Sequence, residues 1–198
     1  MRRSRYSDAG QAFPIYITVV GGLLFLALAY FAVGQASANR NGAQTASDAA
    51  ALAAAQDSRD QLAAMWLDSI QDPSKWQEIF SGDVVGLEPS CWRAQQLAAR
   101  NEAKVVSCAP EGLLGFTVEV ETTKSVGDSI VPGTEDKRSL AVATAVIEPR
   151  CTFELPTGNA AGDSLPQLAC EGALWDLDPE NLDDLPTADE LFDVHLAD

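Results

Sequence analysis

Apolar residues run without interruption from Ala12 to Val33 and then give way to a polar, alanine-rich stretch of helical composition that continues to about Ile70. At ~1.5 Å per residue the first stretch is roughly 33 Å long, enough for a hydrocarbon core of about 30 Å. Tyr16 and Tyr30 stand near its two ends, where amphipathic rings favour the headgroup level. No proline falls between Pro14 and Pro73, so one rod of roughly 80 Å can run from the apolar stretch to about Ile70. Along it small residues recur every fourth position at Gly34, Ala38, Gly42, Ala46, Ala50 and Ala54, a spacing that lets another helix approach closely. Alanine is abundant enough here for composition alone to supply part of that ladder. Leu62, Met65, Trp66 and Ile70 follow at helical spacing and are expected to bury against a domain.

Asp72-Pro73 and Ser81-Gly82 punctuate the exit from this rod. A second helix is predicted from Ser90 to about Ala103, with Ser90 as N-cap and Trp92, Leu97 and Ala98 facing inward. Three strands are expected after it. Residues 104–107 form a short one; 116–122 alternate apolar and polar; 140–147 are apolar on both faces, as in a central strand. Val131 to Thr134 reads as the turn between the last two. The order helix, helix, strand, strand, strand gives an α+β fold, with helices on one face of an antiparallel sheet.

Charge adds an orientation. Arg2, Arg3 and Arg5 precede the apolar stretch, and the positive-inside bias places the N-terminus in the cytoplasm and everything after Val33 outside the cell membrane. A cleaved signal peptide competes, with Ala36-Ser37-Ala38 as its cleavage site, but its apolar region would exceed the usual 7 to about 15 residues. The layout is then a basic cytoplasmic segment (1–11), a transmembrane helix (12–33), an alanine-rich external helix (34–71), a disulfide-bearing domain (72–170) and an acidic C-terminal segment (171–198). The net charge of −16 argues against nucleic acid as a partner. No Lys or Arg follows Arg150, so the end of the chain reads as a solvated acidic tail.

Cys91, Cys108, Cys151 and Cys170 all fall on the external side and point to two disulfides, with three connectivities possible. Local spacing favours Cys91 with Cys108 and Cys151 with Cys170, each loop contributing roughly 3 kcal/mol in the chain-entropy account. No Cys-x-x-Cys motif occurs and the single histidine, His195, reads as a surface residue, so no metal site or cofactor is assigned. Asp176 to Asp184 invites a calcium reading. It departs from the EF-hand template, with Asn181 where glycine belongs and Thr187 where the bidentate glutamate should be. Neither a phosphate-binding glycine loop nor a nucleophile elbow is present, and no catalytic residue is assigned.

The stretch Asp8-Ala-Gly-Gln-Ala-Phe, the apolar run after it, and Arg40-Asn-Gly-Ala-Gln-Thr-Ala-Ser-Asp-Ala-Ala-Ala-Leu together resemble the N-terminal module of the TadE/TadG-like proteins of the tight-adherence (Flp-type) pilus system, in the version found in actinobacteria. The resemblance covers roughly residues 8–56. It implies a pilin-like or pseudopilin-like assembly component, or an accessory one, whose helix meets other Tad-type pilus or secretion components. One departure concerns processing: prepilin peptidase substrates usually carry Glu five residues after the cleavage point, and Gly10-Gln11 puts Ile15 there. An anchored ligand-binding or sensory domain with an acidic surface is the alternative reading, and a tethered enzyme a third.

Overall fold

The computed structural model describes residues 12–125, 136–155, 165–178, 181 and 184–197. Arg2, Arg3 and Arg5, the turn at 131–134, and Glu180 and Asp183 of the acidic stretch lie outside the described residues.

A single helix, α1 (Ala12–Asp68), holds 57 residues. Glycines at 21, 22, 34 and 42 do not break it. Its two parts live in different surroundings. Apart from Val20, the large apolar side chains from Phe13 to Val33 are at least half exposed, with Tyr30 at 83%. From Ala43 onward one face is buried in a domain, at Ala43, Ala46, Ser47, Ala50, Ala51, Ala54, Ser58, Leu62 and Trp66. The spacing of one, three and four along this series is the periodicity of a helix with one face against a core, and Ala53 and Ala55 widen the buried face at its middle.

That face lies on a four-stranded antiparallel sheet. The strands are β1 (Ala103–Pro110), β2 (Gly115–Thr122), β3 (Leu140–Pro149) and, out of chain order, β7 (Phe192–Leu196), arranged β1-β2-β3-β7. Val118 and Val120 of β2, and Ala143, Ala145 and Ile147 of β3, alternate inward toward α1. Alanines on both elements let the helix sit close to the strands. A second helix, α3 (Cys91–Arg100), lies beside α1 and against β1, burying Ala94 and Ala98. Between α1 and α3, a 3-10 turn (Pro73–Lys75) leads into a short helix, α2 (Trp76–Ser81). It closes at Gly82 in the left-handed region (φ 74°), where an added Cβ would meet the Leu114 Cδ2 at 2.7 Å.

The predicted strands are present, with β1 and β3 extended by a few residues. Trp92, expected inward, is 53% exposed and carries the Arg93 guanidinium over its ring at 5.2 Å from the centroid. The smaller Ala94 and Ala98 take the inward places because α3 lies close to α1. Sequence reasoning missed α2 and four short strands. Three of these, β4 (Cys151–Phe153), β5 (Leu168–Cys170) and β6 (Ala173–Trp175), form a separate antiparallel sheet. The fourth, β7, follows a one-turn helix, α4 (Ala188–Leu191), with Leu191 and Phe192 fully buried. The end of the chain is therefore partly core, where a solvated acidic tail was expected: Phe192 points inward while Asp193 and His195 face solvent. Phe192 also completes a line of rings, Trp66–Trp76–Phe153–Phe80–Phe192, with successive centroids 5.2–5.8 Å apart, that plugs the end of the domain farthest from residue 12.

Leucine at Ala50 adds three carbons where the side chain has no free surface, so Ala50→Leu should destabilise the domain by about 1–3 kcal/mol. Ala38→Leu, on an exposed turn of the same helix, should change stability by less than about 0.5 kcal/mol. Chemical denaturation of the two variants, followed by circular dichroism, measures both; equal stabilities would contradict the packing of α1 on the sheet.

Candidate assembly surface

The small-residue ladder divides between two environments. Ala46, Ala50 and Ala54 are fully buried against the chain's own sheet and α3, whereas Gly34, Ala38 and Gly42 are exposed, and a Cβ added at Gly34 or Gly42 would meet nothing within 4 Å. The first three are thus taken up by intramolecular packing, and only the last three, with the apolar stretch before them, remain open to another molecule. Twenty-one consecutive residues from Phe13 to Val33 form an unpartnered apolar cylinder, far larger than the few hundred Å² of apolar patch that a water-exposed surface tolerates. α1 is long and apolar enough there to cross a membrane.

Side-chain hydrogen bonds fix how the domain sits on the rod. Asn39 Nδ2 donates to the carbonyls of Lys124 and Ser125 at 3.2 and 3.3 Å, and its Oδ1 accepts from Thr122 Oγ1 at 3.3 Å. Farther along, Gln61 donates through Nε2 to Glu88 O and Ser90 Oγ, and its Oε1 accepts the Glu88 N–H at 2.7 Å. These two residues hold the end of β2 and the start of α3 against α1 at points 22 positions apart. The rod and domain are in this way joined from Asn39 onward by hydrogen bonds as well as by packing.

The cysteines close the periphery. Cys91 at the start of α3 is bonded to Cys108 of β1, with Cα atoms 5.9 Å apart; Cys151 of β4 is bonded to its cross-strand partner Cys170 of β5. The first staples helix to sheet and the second holds the small sheet together. Arg150, beside that second bond, pairs with Glu171 and donates to Asp189 O at 3.1 Å, tying the small sheet to α4. Its guanidinium pKa is raised, chiefly by the Glu171 hydrogen bond. Glu121, near the Asn39 end, accepts from Lys104 Nζ at 2.8 Å, and this bond holds its carboxyl below the ordinary carboxylate range. Its stabilisation is present at neutral pH and fades as acid protonates it.

His195 is exposed and pairs with Asp193 at 2.9 Å. Asp176 bonds the Gln167 amide and Asn181 bonds Asp184, so the acidic stretch proposed for calcium is engaged in protein hydrogen bonds where it is described. Among the described residues no group of three or more His, Cys, Asp or Glu side chains could hold a metal ion.

These features define an α+β domain folded around the distal part of a helix whose proximal part is suited to a bilayer. Residues 10–57 match the family model for putative Flp pilus-assembly TadE/G-like proteins, the family that the N-terminal motifs resemble. The match covers the apolar cylinder and the first buried turns of α1, about a quarter of the chain. No curated protein and no solved structure matches the chain.

Non-reducing peptide mapping should recover the Cys91–Cys108 and Cys151–Cys170 cross-links and no free thiol; a Cys108–Cys151 peptide would contradict this arrangement. Replacing Cys91 and Cys108 together by serine should lower stability by roughly 3 kcal/mol.

Proposed function

We propose that this chain is a non-enzymatic pseudopilin-like or accessory component of a Tad/Flp-type pilus or secretion apparatus. Its N-terminus lies in the cytoplasm, α1 crosses the membrane between residues 12 and 33, and the α+β domain stands outside. The observation that supports this best is the division of α1: one uninterrupted helix is bare and apolar for its first third and forms the core of a rigid domain for much of the rest. In such a component the apolar cylinder is held by lipid before assembly and by partner helices after it, and the domain follows wherever the helix goes. The Arg2, Arg3 and Arg5 bias supports the orientation, and two disulfides suit an oxidising compartment. The TadE/G-like match over residues 10–57 supports the pilus context.

The partner contacts lie on the exposed part of α1, at Gly34, Ala38 and Gly42 and the apolar residues before them. Leucine at Gly34 and Ala38 together should reduce cross-linked complexes between this chain and co-expressed pilus components severalfold, while the circular dichroism of the domain stays unchanged. Ala46→Leu with Ala50→Leu should instead unfold the domain. Undiminished complexes from the first double variant would reject this surface. A membrane-impermeant thiol reagent added to reduced, intact protoplasts should label the domain; labelling only after lysis would reverse the orientation.

A further inference from the structure

The domain is electrically polarised along α1. Three of the thirteen Lys and Arg residues precede the apolar cylinder, and six of the remaining ten gather at the end of the domain nearest it: Arg40, Arg100, Lys104, Lys124, Lys137 and Arg138. Their placement follows from the topology. α1 and β2 run in opposite directions, so the end of β2, the start of β1, the approach to β3 and the end of α3 meet around Asn39. Among the described residues the acidic groups set against this cluster are Glu102, Glu121 and Asp136. Glu102 pairs with Lys124 at 2.5 Å, and Glu121 with Lys104 and Arg138. Arg40, Arg100 and Lys137 are exposed and make no ion pair among the described residues. The other four cations, Arg59, Lys75, Arg93 and Arg150, are scattered over a remainder that holds most of the acidic residues.

Height matters as much as charge. Six residues separate Val33 from Asn39, a rise of about 9 Å along an unbroken helix. With the apolar cylinder in a bilayer, the cluster therefore stands at the headgroup layer, within roughly one Debye length of its charge. Two adjoining open hollows face this level. One, of about 270 Å³, is lined by Asn39, Asn101, Glu102 and Lys124; the other, of about 570 Å³, is lined by Glu121, Lys137 and Arg138; both reach Ser125.

We propose that this basic collar seats the domain on the phosphate headgroups of anionic phospholipid in the leaflet it faces, fixing the height and tilt of α1 before assembly. The proposal rests on the reading of α1 as a membrane span. Among the described residues Arg40, Arg100 and Lys137 have no carboxylate partner to release, and they supply the attraction; the paired Lys124 and Arg138 line the hollows. The acidic far end stands several Debye lengths above that surface, so its charge does not oppose the attraction at the collar. An interface with the acidic end of a second copy is the competing use of this charge pattern, but it places the collar away from the headgroups that the helix brings to it.

The test uses the full chain in nanodiscs of phosphatidylcholine, with and without phosphatidylglycerol. Resistance to carbonate extraction is measured first; loss of the protein from membranes at that stage would refute the span itself. With the span intact, phosphatidylglycerol should slow amide exchange in peptides covering 36–44, 100–104 and 121–125, and native mass spectrometry should show it retained over phosphatidylcholine. The variant carrying Arg40→Gln, Arg100→Gln and Lys137→Gln removes only unpaired side chains. At roughly fivefold per basic side chain near a charged surface, the three substitutions together should lower that preference by about a hundredfold. Equal exchange in both lipids, a preference the variant keeps, protection by inorganic phosphate alone, or protection that depends on protein concentration would each overturn the collar.

Discussion

The packing of α1, which buries Ala46, Ala50 and Ala54, on a sheet whose β3 buries Ala143 and Ala145, is the contact on which the rest of the molecule depends. Small side chains at this interface bring the helix axis near the strands and leave no room for an alternative register of bulkier groups. Asn39 and Gln61 then fix the domain along the axis, and the aromatic line from Trp66 to Phe192 closes its far end. Because α1 is continuous, each of these contacts also sets where the domain stands relative to the apolar cylinder.

That continuity gives the pilus reading its mechanical sense. A domain joined to its anchor by a flexible linker would turn freely over the membrane, whereas here the first buried turn of α1 follows the exposed Gly34–Gly42 segment without a break. In the proposed topology the exposed Gly34, Ala38 and Gly42 leave room for a neighbouring helix just outside the bilayer. The charge pattern supplies a matching orientation, with cations at the foot and carboxylates above.

Much of this was legible in the sequence. The uncharged run at 12–33 identifies the candidate membrane span by length alone, and the alternation at 116–122 identifies a strand. The destination of the alanine ladder was not legible, because small residues at fourfold spacing suit a partner helix and an intramolecular sheet equally well; only the alternating alanines of β3 distinguish the two, and they stand 89 or more positions away. The three-residue strands β4, β5 and β6 are too short to show a period, and of their two pairings only that of β4 with β5 is reinforced by the Cys151–Cys170 bond. β7 was hidden by its charge. A strand at a sheet edge that buries Phe192 and exposes Asp193 and His195 looks, in an acidic sequence, like solvated tail.

The central claim is that one rigid helix carries the domain from the bilayer outward. It is tested most directly by a distance measured along α1 in reconstituted membranes, with spin labels on non-natural residues at Phe25 and Ala64. An unbroken helix of 39 steps predicts a single narrow distribution centred near 58 Å. A broad distribution, or one centred well below that value, would show that α1 bends or melts between the membrane and the domain, and would contradict the account.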